Sequence, residues 1–460
     1  MKIESPLVTV YVTNYNYAKY IRQSVESILS QTLQNYEILI IDDGSTDNSR
    51  DIIEEYRNNP KIQIIYQQNK GLNVTNNIAL RACQGKYIMR LDADDYLSDD
   101  ALEKMTEVLE KDSTIGLVFP DYFLVDENGS KTEEFKRHNF EDEVSLMDQA
   151  AHGACTMIRV ENLKELGGYN ESFSCQDGYE LWVKFTEHHK ITNIGEPLFY
   201  YRRHSANLTR NETRILSTRA RINELYSHNR FGALKALCII PVRDSSLAFK
   251  SLVDKKVIDY KIEAALGCKT LDKIVISSPA DDVEQYVKEK YVGEKRILFH
   301  KREEKEARLN VNLVSTVHSV LELTGNSYDA ITLLTIEYPF VKPYVIDDAI
   351  NTMFLFDSDS IIGVRQENSL LFQHYGDGMH PIMNQDKFTK LERESLYRLT
   401  GGISAVRTDR FLEVEKVTFG RIGHVMIDQL SSIGLFSDFD FHMAESLLKN
   451  SAKASLLSAH

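Results

Sequence analysis

Three short apolar runs, each breaking off into a polar cluster and separated by a helical pattern, constrain this chain more than any other feature. Val8-Thr9-Val10-Tyr11-Val12 ends on Thr13-Asn14-Tyr15-Asn16. Ile21, Val25, Ile28 and Leu29 then fall on one face of a helix from about Tyr20 to Leu29. Glu37-Ile38-Leu39-Ile40-Ile41 runs straight into Asp42-Asp43-Gly44-Ser45, a further helix starts near Asp47, and Ile62-Gln63-Ile64-Ile65-Tyr66 makes a third strand. Strands that are apolar throughout are buried on both faces, so this β-α-β-α-β order predicts a parallel sheet covered by helices. Ligands in such sheets sit at the carboxyl ends of strands, which is where the polar clusters fall.

The same grammar restarts at Leu237-Cys238-Ile239-Ile240, with a helix over Val257 to Leu266 and strands at Lys273-Ile274-Val275-Ile276, Ile331-Thr332-Leu333-Leu334 and Ser360-Ile361-Ile362-Gly363-Val364. A length of 460 residues also exceeds one ordinary domain. The polar stretch Asn207 to Arg230 reads as one helix plus a loop, so the predicted domains are 1–230 and 231–460. The fold class expected is α/β, two Rossmann-like domains in tandem.

A net charge of −14 excludes wrapping a polyanion such as DNA, though not holding one nucleotide beside a bound cation. The five cysteines (Cys83, Cys155, Cys175, Cys238, Cys268) contain no CxxC pair and read as reduced thiols rather than a disulfide frame or zinc site. No apolar run approaches the roughly 18 residues of a membrane span, and MKIESPLVTV has no apolar signal-peptide core. The expected location is cytoplasmic, with peripheral attachment at the inner face of the membrane left open.

Three clusters in the first half carry chemistry. Asp42-Asp43-Gly44-Ser45 beside Thr13-Asn14-Tyr15-Asn16 offers a carboxylate for the imide N–H of uracil or thymine and an aromatic ring for its face. A plain turn is the bland alternative. Arg90-Leu91-Asp92-Ala93-Asp94-Asp95 sets three carboxylates within four residues. They repel one another unless a hard divalent cation with oxygen ligands sits among them, a donor diphosphate completing its shell; a solvated acidic loop is the competing reading. Asp177, in Ser174-Cys175-Gln176-Asp177-Gly178-Tyr179-Glu180-Leu181-Trp182, lies near a helix N-terminus. There it is either a general base for an acceptor hydroxyl or simply an N-cap.

Together VTVYVTNYNYAKYIRQSVESILSQTLQNYEILIIDDGSTD, GKYIMRLDADDYL, LKELGGYNESFSCQDGYELWVKF and FYYRRHSANLT resemble glycosyltransferase family 2, with the GT-A fold, over residues 5 to about 210. The resemblance implies that Thr13, Tyr15, Asp43 and Asp92 hold the nucleotide. It makes Asp94 and His204 ligands of Mn2+ or Mg2+ and Asp177 the general base, with Asp42 and Asp95 as supporting groups. Direct displacement at the anomeric carbon of a UDP- or dTDP-sugar would follow, onto a glycan or lipid-linked glycan of a bacterial surface or flagellum. The chain departs from the family at Asn73-Val74-Thr75-Asn76-Asn77, where an Arg-Asn pair is common, so Asn76 replaces a cation.

Residues 235 to 450 resemble the CMP-sialic acid synthetase (acylneuraminate cytidylyltransferase) family through ALCIIPVRDSSLAFKSLVDKKVIDYKIEAALGCKTLDKIVISSPADDVEQ, YDAITLLTIEYPFVKPYVIDDAI, LTGGISAVRTDRF and SDFDFHMAESLLKN. The phosphate-cradling loop, Val242 to Lys250, contains no glycine, and Asp244 adds negative charge. Arg243 and Lys250 alone remain of its phosphate contacts. The family's metal-binding Asp-Ile-Asp aligns with Gly434-Leu435-Phe436, and Asp438 and Asp440 read as capping acids of a final helix from Met443 to Leu448. A nucleotidyltransferase-like domain without catalysis is expected, serving acceptor binding or homodimerisation. A bifunctional enzyme with an active CTP-dependent half and a non-enzymatic scaffold are the alternatives.

Overall fold

The computed structural model describes residues 5–136, 153–204, 211–308, 311–325, 327–367, 369, 371–382 and 396–457. It divides into two compact units, Met1–Asn211 and Glu212–His460.

The first unit runs β1 (Val8–Asn14), α1 (Ile21–Leu29), β2 (Tyr36–Asp42), α2 (Ser49–Glu54), β3 (Ile62–Tyr66), α3 (Leu72–Ala82) and β4 (Tyr87–Asp92). It continues through β5 (Tyr96–Leu97), α4 (Ala101–Lys111), β6 (Ile115–Val125), β7 (Lys131–Phe135), β8 (Met157–Arg159), α5 (Val160–Glu165), α6 (Asp177–His188) and β9 (Lys190–Arg202). The sheet order is β3-β2-β1-β4-β8-β6-β9-β5, with β7 paired to β6. Strands β3, β2, β1 and β4 are mutually parallel, as their apolar composition predicts. The remainder is mixed, because β8 runs antiparallel to both β4 and β6. A uniformly parallel sheet is therefore corrected to a half-parallel one. β8 has three residues and β9 contains Gly195 and Pro197, so neither carries the apolar run from which a strand is read.

The chain moves from β1 outward to β2 and β3, then returns to place β4 on the other side of β1. That reversal opens a crevice at the carboxyl ends of β1 and β4, the usual ligand position in open α/β sheets. Val8, Val10, Val12, Ile38, Ile40, Met89 and Leu91 fill the core beneath it. Trp182 on α6 is fully buried, its ring edge-on to Phe119 with centroids 5.8 Å apart.

The second unit opens with α7 (Glu212–Phe231), then β10 (Ala236–Pro241), α8 (Ser245–Phe249), β11 (Ser251–Leu252), β12 (Lys255–Lys256), α9 (Val257–Leu266), β13 (Leu271–Ser278), α10 (Asp281–Lys290) and β14 (Ile297–Lys301). There follow α11 (Val314–Thr324), β15 (Ala330–Leu334), α12 (Pro343–Leu355), β16 (Ser360–Glu367), β17 (Phe372–His374), β18 (Met379–Pro381), β19 (Leu396–Arg407), α13 (Thr408–Val414), β20 (Ile422–Met426) and α14 (Asp438–Leu457). Its main sheet has the order β14-β13-β10-β15-β19-β16-β20, parallel except at β19.

α7 falls on the other side of the boundary expected near 230. Asn223 on it donates to Asp348 Oδ1 at 2.7 Å and to Thr352 Oγ1 at 3.0 Å, both on α12. A polar helix with no evident apolar stripe gives a sequence reading nothing by which to choose its side. The cysteines are free thiols, with Cys155, Cys238 and Cys268 buried.

Candidate active site

The crevice is lined from both ends of the first unit. Thr13, near the end of β1, is in register with Asp92 at the end of β4, and its hydroxyl donates to Asp92 Oδ1 at 2.7 Å. The loops after β1 and β2 are zipped together. Asn16 adopts a left-handed conformation and accepts from the Thr46 amide at 2.7 Å, while its own amide donates to Ser45 Oγ at 2.9 Å. Tyr15 stands exposed beside them. Asp42 is fully buried and accepts from Asn14 Nδ2 at 2.9 Å and Arg50 Nε at 3.2 Å, so it braces these loops.

Asp43 accepts from the Lys70 amide (2.8 Å), the Gly71 amide (3.0 Å) and Gln67 Nε2 (2.7 Å). A carboxylate has about four acceptor positions, so room for one further donor is left. Gly44 must be glycine here: its φ is +78°, and a Cβ would lie 2.7 Å from the Asn69 amide nitrogen.

The acidic turn after β4 is brought to His204 by the end of β9. His204 Nε2 lies 2.9 Å from Asp94 Oδ2. Its ring stacks on Tyr20 with centroids 5.5 Å apart and meets Tyr17 edge-on at 5.6 Å. Burial, with Asp92 adding to it, pushes the Asp94 carboxyl above its usual range, and burial beside Asp94 and Asp92 pushes Asp95 further still. Negative charge is thus concentrated where it is poorly solvated, which is the environment a divalent cation relieves.

Among the described residues no cluster of three or more His, Cys, Asp or Glu side chains could hold a metal by itself. The Asp94–His204 pair nevertheless fits an ion whose remaining ligands come from a diphosphate and water. Asp95 accepts the Arg202 amide at 2.8 Å. It fastens β9 to the turn.

Arg202 is the residue that sequence reasoning passed over. Its side chain is buried beneath the turn, donating from Nε to the Asp94 carbonyl at 2.8 Å and from Nη2 to Gln23 Oε1 at 2.7 Å. It lies over the Tyr20 ring at 4.7 Å. The signal was an arginine ending a strand two residues before a candidate ligand. It looked like one more polar residue in Tyr201-Arg202-Arg203-His204. The residues following it in that motif, 205–210, lie outside those described.

Asp177 is not the cap of its helix. It is the first residue of α6, and the cap position is held by Gln176 at φ +64°. Its carboxylate turns instead to Arg90 on β4, whose Nη1 contacts Asp177 Oδ2. The same guanidinium places Nε 3.0 Å from Asp92 Oδ1. Burial opposes the Arg90 charge, but Asp177 and Asp92 outweigh it and hold the group charged beyond its ordinary range. Asn76 Nδ2 lies 3.4 Å from Asp177 Oδ2, and Asn76 Oδ1 accepts from the Tyr11 hydroxyl at 3.1 Å. Asn76 and Arg90 thus approach the same oxygen of Asp177, and the positive charge there comes from β4.

In the second unit the loop expected to be a remnant phosphate site, Val242 to Lys250, is tied up by its own side chains. Asp244 caps α8, its two oxygens accepting from the Ser246 amide at 2.9 Å and the Ser246 hydroxyl at 2.6 Å. Lys250 Nζ is 2.8 Å from Asp438 Oδ1, and Arg243 is exposed. Asp440 accepts from the Ser437 amide and hydroxyl, both at 2.8 Å, which makes a capping box for α14. That helix starts five residues before the expected Met443.

These residues make the first unit an open α/β domain with an acidic turn at the carboxyl end of a central strand. The Glycosyl transferase family 2 profile matches residues 9–167, within the first unit. A chondroitin synthase of Escherichia coli is 38% identical over 196 residues, covering 40% of this chain and 28% of that one. A hyaluronan synthase of Pasteurella multocida is 34% identical over 199 residues, covering 42% and 20%. An uncharacterized glycosyltransferase of Methanocaldococcus jannaschii is 31% identical over 210 residues, covering 44% of this chain and 72% of that one. The chain belongs to glycosyltransferase family 2. Its match spans about a quarter of the length of the two named synthases.

Proposed function

We propose that the first unit is an inverting transferase that moves a sugar from a UDP- or dTDP-linked donor to a hydroxyl of a glycan or lipid-linked glycan. The observation that carries this reading is that Arg90 ties Asp177 to Asp92, in the same acidic turn whose Asp94 meets His204. Thr13 and Tyr15 would hold the base and ribose, with the remaining acceptor position of Asp43 for the imide. Asp94 and His204 would hold Mn2+ or Mg2+. That ion supplies Lewis-acid neutralisation of the departing diphosphate. Asp177 takes the proton of the acceptor hydroxyl as it attacks the anomeric carbon from the face opposite the nucleotide, which inverts the linkage. Similarity to a chondroitin and a hyaluronan synthase supports a polysaccharide acceptor, made in a bacterial surface or flagellar pathway from the cytoplasmic side. Among the described residues no helix is long and apolar enough to cross a membrane.

Calorimetry tests the metal assignment. UDP binding should strengthen on adding manganese, and Asp94→Ala or His204→Ala should remove that increment while leaving the weak metal-free binding. A ligand at ten times its dissociation constant adds about 1.4 kcal/mol of stability, so a thermal-shift panel of UDP, dTDP, GDP and CMP sugars reads the same effect. Unchanged manganese dependence in both variants overturns the assignment.

For the second unit we propose a cytidylyltransferase-like fold without that activity, retained for dimerisation or acceptor binding. Asp244, Lys250 and Asp440 are all engaged within the fold rather than free for a nucleotide. The hairpin β17–β18 leaves Phe372, Tyr375 and Met379 exposed, and a lone two-stranded hairpin is marginal in water unless covered. The full chain should release no pyrophosphate from CTP with nonulosonic acids. It should sediment as a dimer that Phe372→Ser/Met379→Ser dissociates. CTP turnover would revive the bifunctional reading, and a monomer at every concentration would reject the dimer.

A further inference from the structure

Arg90 joins the two sides of the crevice, and nothing in the proposed chemistry yet uses it. Its one guanidinium reaches both Asp92, assigned above to the donor side, and Asp177, assigned above to the acceptor side. The Arg90–Asp177 half of the bridge is buried and closely fitted, while Asp92 is partly exposed. Arg90 is 5% exposed and Asp177 6%. The chain passes directly over the pair at Gly153, where a Cβ would lie 2.8 Å from Arg90 Nη2 and 3.0 Å from Asp177 Oδ2. Thr13 holds the other end by donating to Asp92.

Position 76 on α3 reaches the same carboxylate. Asn76 Nδ2 approaches Asp177 Oδ2, the very oxygen that Arg90 contacts, so a cation on either β4 or α3 could serve this spot. This chain has placed it on β4 and a neutral amide on α3. The amide at 76 donates to Asp177 beside Arg90 without adding a second buried charge at that oxygen.

We propose that Arg90 is a positioning residue that sets the distance between the proton-accepting carboxylate and the donor side of the crevice, and that it substitutes from β4 for a cation at position 76. Its planar fork suits this role: Nη1 meets Asp177 while Nη2 donates to Asp92 Oδ2 at 3.5 Å and Nε lies in ion-pair range of Asp92, whereas a lysine ammonium is a single point of charge on a flexible stem. Asp177 then meets the acceptor hydroxyl only in the orientation Arg90 allows, and Asp92 keeps its place beside Thr13. The inference rests on the reading of Asp177 as base and Asp92 as a donor-side group.

The test is a cation transplant on the full chain, with kcat and donor KM measured separately and fold followed by Trp182 fluorescence. Arg90→Leu should lower kcat/KM about a hundredfold, the scale on which a misplaced reacting group acts. Asn76→Arg/Arg90→Leu, which returns the cation to α3, should recover most of that loss, to within about tenfold of the parent on the same scale. Arg90→Lys keeps a charge and gives a second, milder route should Arg90→Leu fail to fold. It should lower kcat about tenfold or more while donor KM stays within about twofold, because orientation is lost but charge is not.

Parent-like kinetics in Arg90→Lys would overturn the bridging role. A folded double variant no better than Arg90→Leu would overturn the substitution. If Asp177→Asn leaves turnover intact, the base assignment itself has failed. If Asp177→Asn abolishes turnover while the Arg90 variants do not, only this inference has.

Discussion

Asp177→Asn lowers kcat about a thousandfold, within the range of about 10² to 10⁴ that removing a general base produces, and leaves UDP affinity with manganese unchanged. The amide is close to isosteric with the carboxylate and keeps an oxygen for the Arg90 contact, so the crevice keeps its shape. What it loses is the basic lone pair that takes the acceptor proton. Asp177 also sits on the same helix as Trp182, the only tryptophan in the chain, so unchanged tryptophan fluorescence reports that α6 has stayed in place. Turnover within tenfold of the parent would remove Asp177 from the chemistry. Loss of UDP binding with residual turnover preserved would instead place it on the donor side.

Lys261→Met stabilises the second unit by about 3 kcal/mol at pH 7. Lys261 is fully buried on α9, and among the described residues its Nζ has no hydrogen-bond partner. Burial pulls its pKa down from 10.5 to about 8, with Cys238 and Glu337 only partly opposing the shift. The folded state therefore holds this proton less tightly than the unfolded chain. Between pH 8 and 10.5 the unfolded chain binds more protons, so stability rises with pH across that window and is lowest, and flat, below it.

Methionine has a similar length, no charge and a flexible thioether suited to a core. Its advantage should be complete at pH 7 and shrink as pH climbs through that window. Urea unfolding followed by far-UV circular dichroism measures it. The fluorescence of Trp182 reports only the first unit and so separates the two transitions, which a chain of two units requires. A variant less stable than the parent at pH 7 would mean that Lys261 is charged and compensated, not strained.

Much of the first unit was legible because its strands announce themselves. Each of β1, β2, β3 and β4 is a short run of apolar or β-branched residues in a chain that alternates with helical patterns. Parallel strands buried on both faces leave just such a run, and the acidic cluster closing β4 is conspicuous against it. The mixed half was not legible, since β8 is short and β9 is broken by glycine and proline. The packing of α7 on α12 was not legible either, because the two lie more than a hundred residues apart and no local pattern announces their contact.

At the site the sequence by itself determined which chemical groups are present: a run of three acids, a histidine after an arginine pair, and a lone acid opening a helix. It determined too that the loop from Val242 to Lys250 contains no glycine. Only the tertiary structure decided which of these groups meet. Asp94 finds His204 across 110 positions of sequence, and Arg90 finds Asp177 across 87. Position 76 reads as a missing charge along the chain, and as a place already served by β4 once α3 and α6 are packed. The reason is physical. Periodicity and composition are local properties of a chain, whereas electrostatic pairing depends on distances that only the packed sheet and helices set.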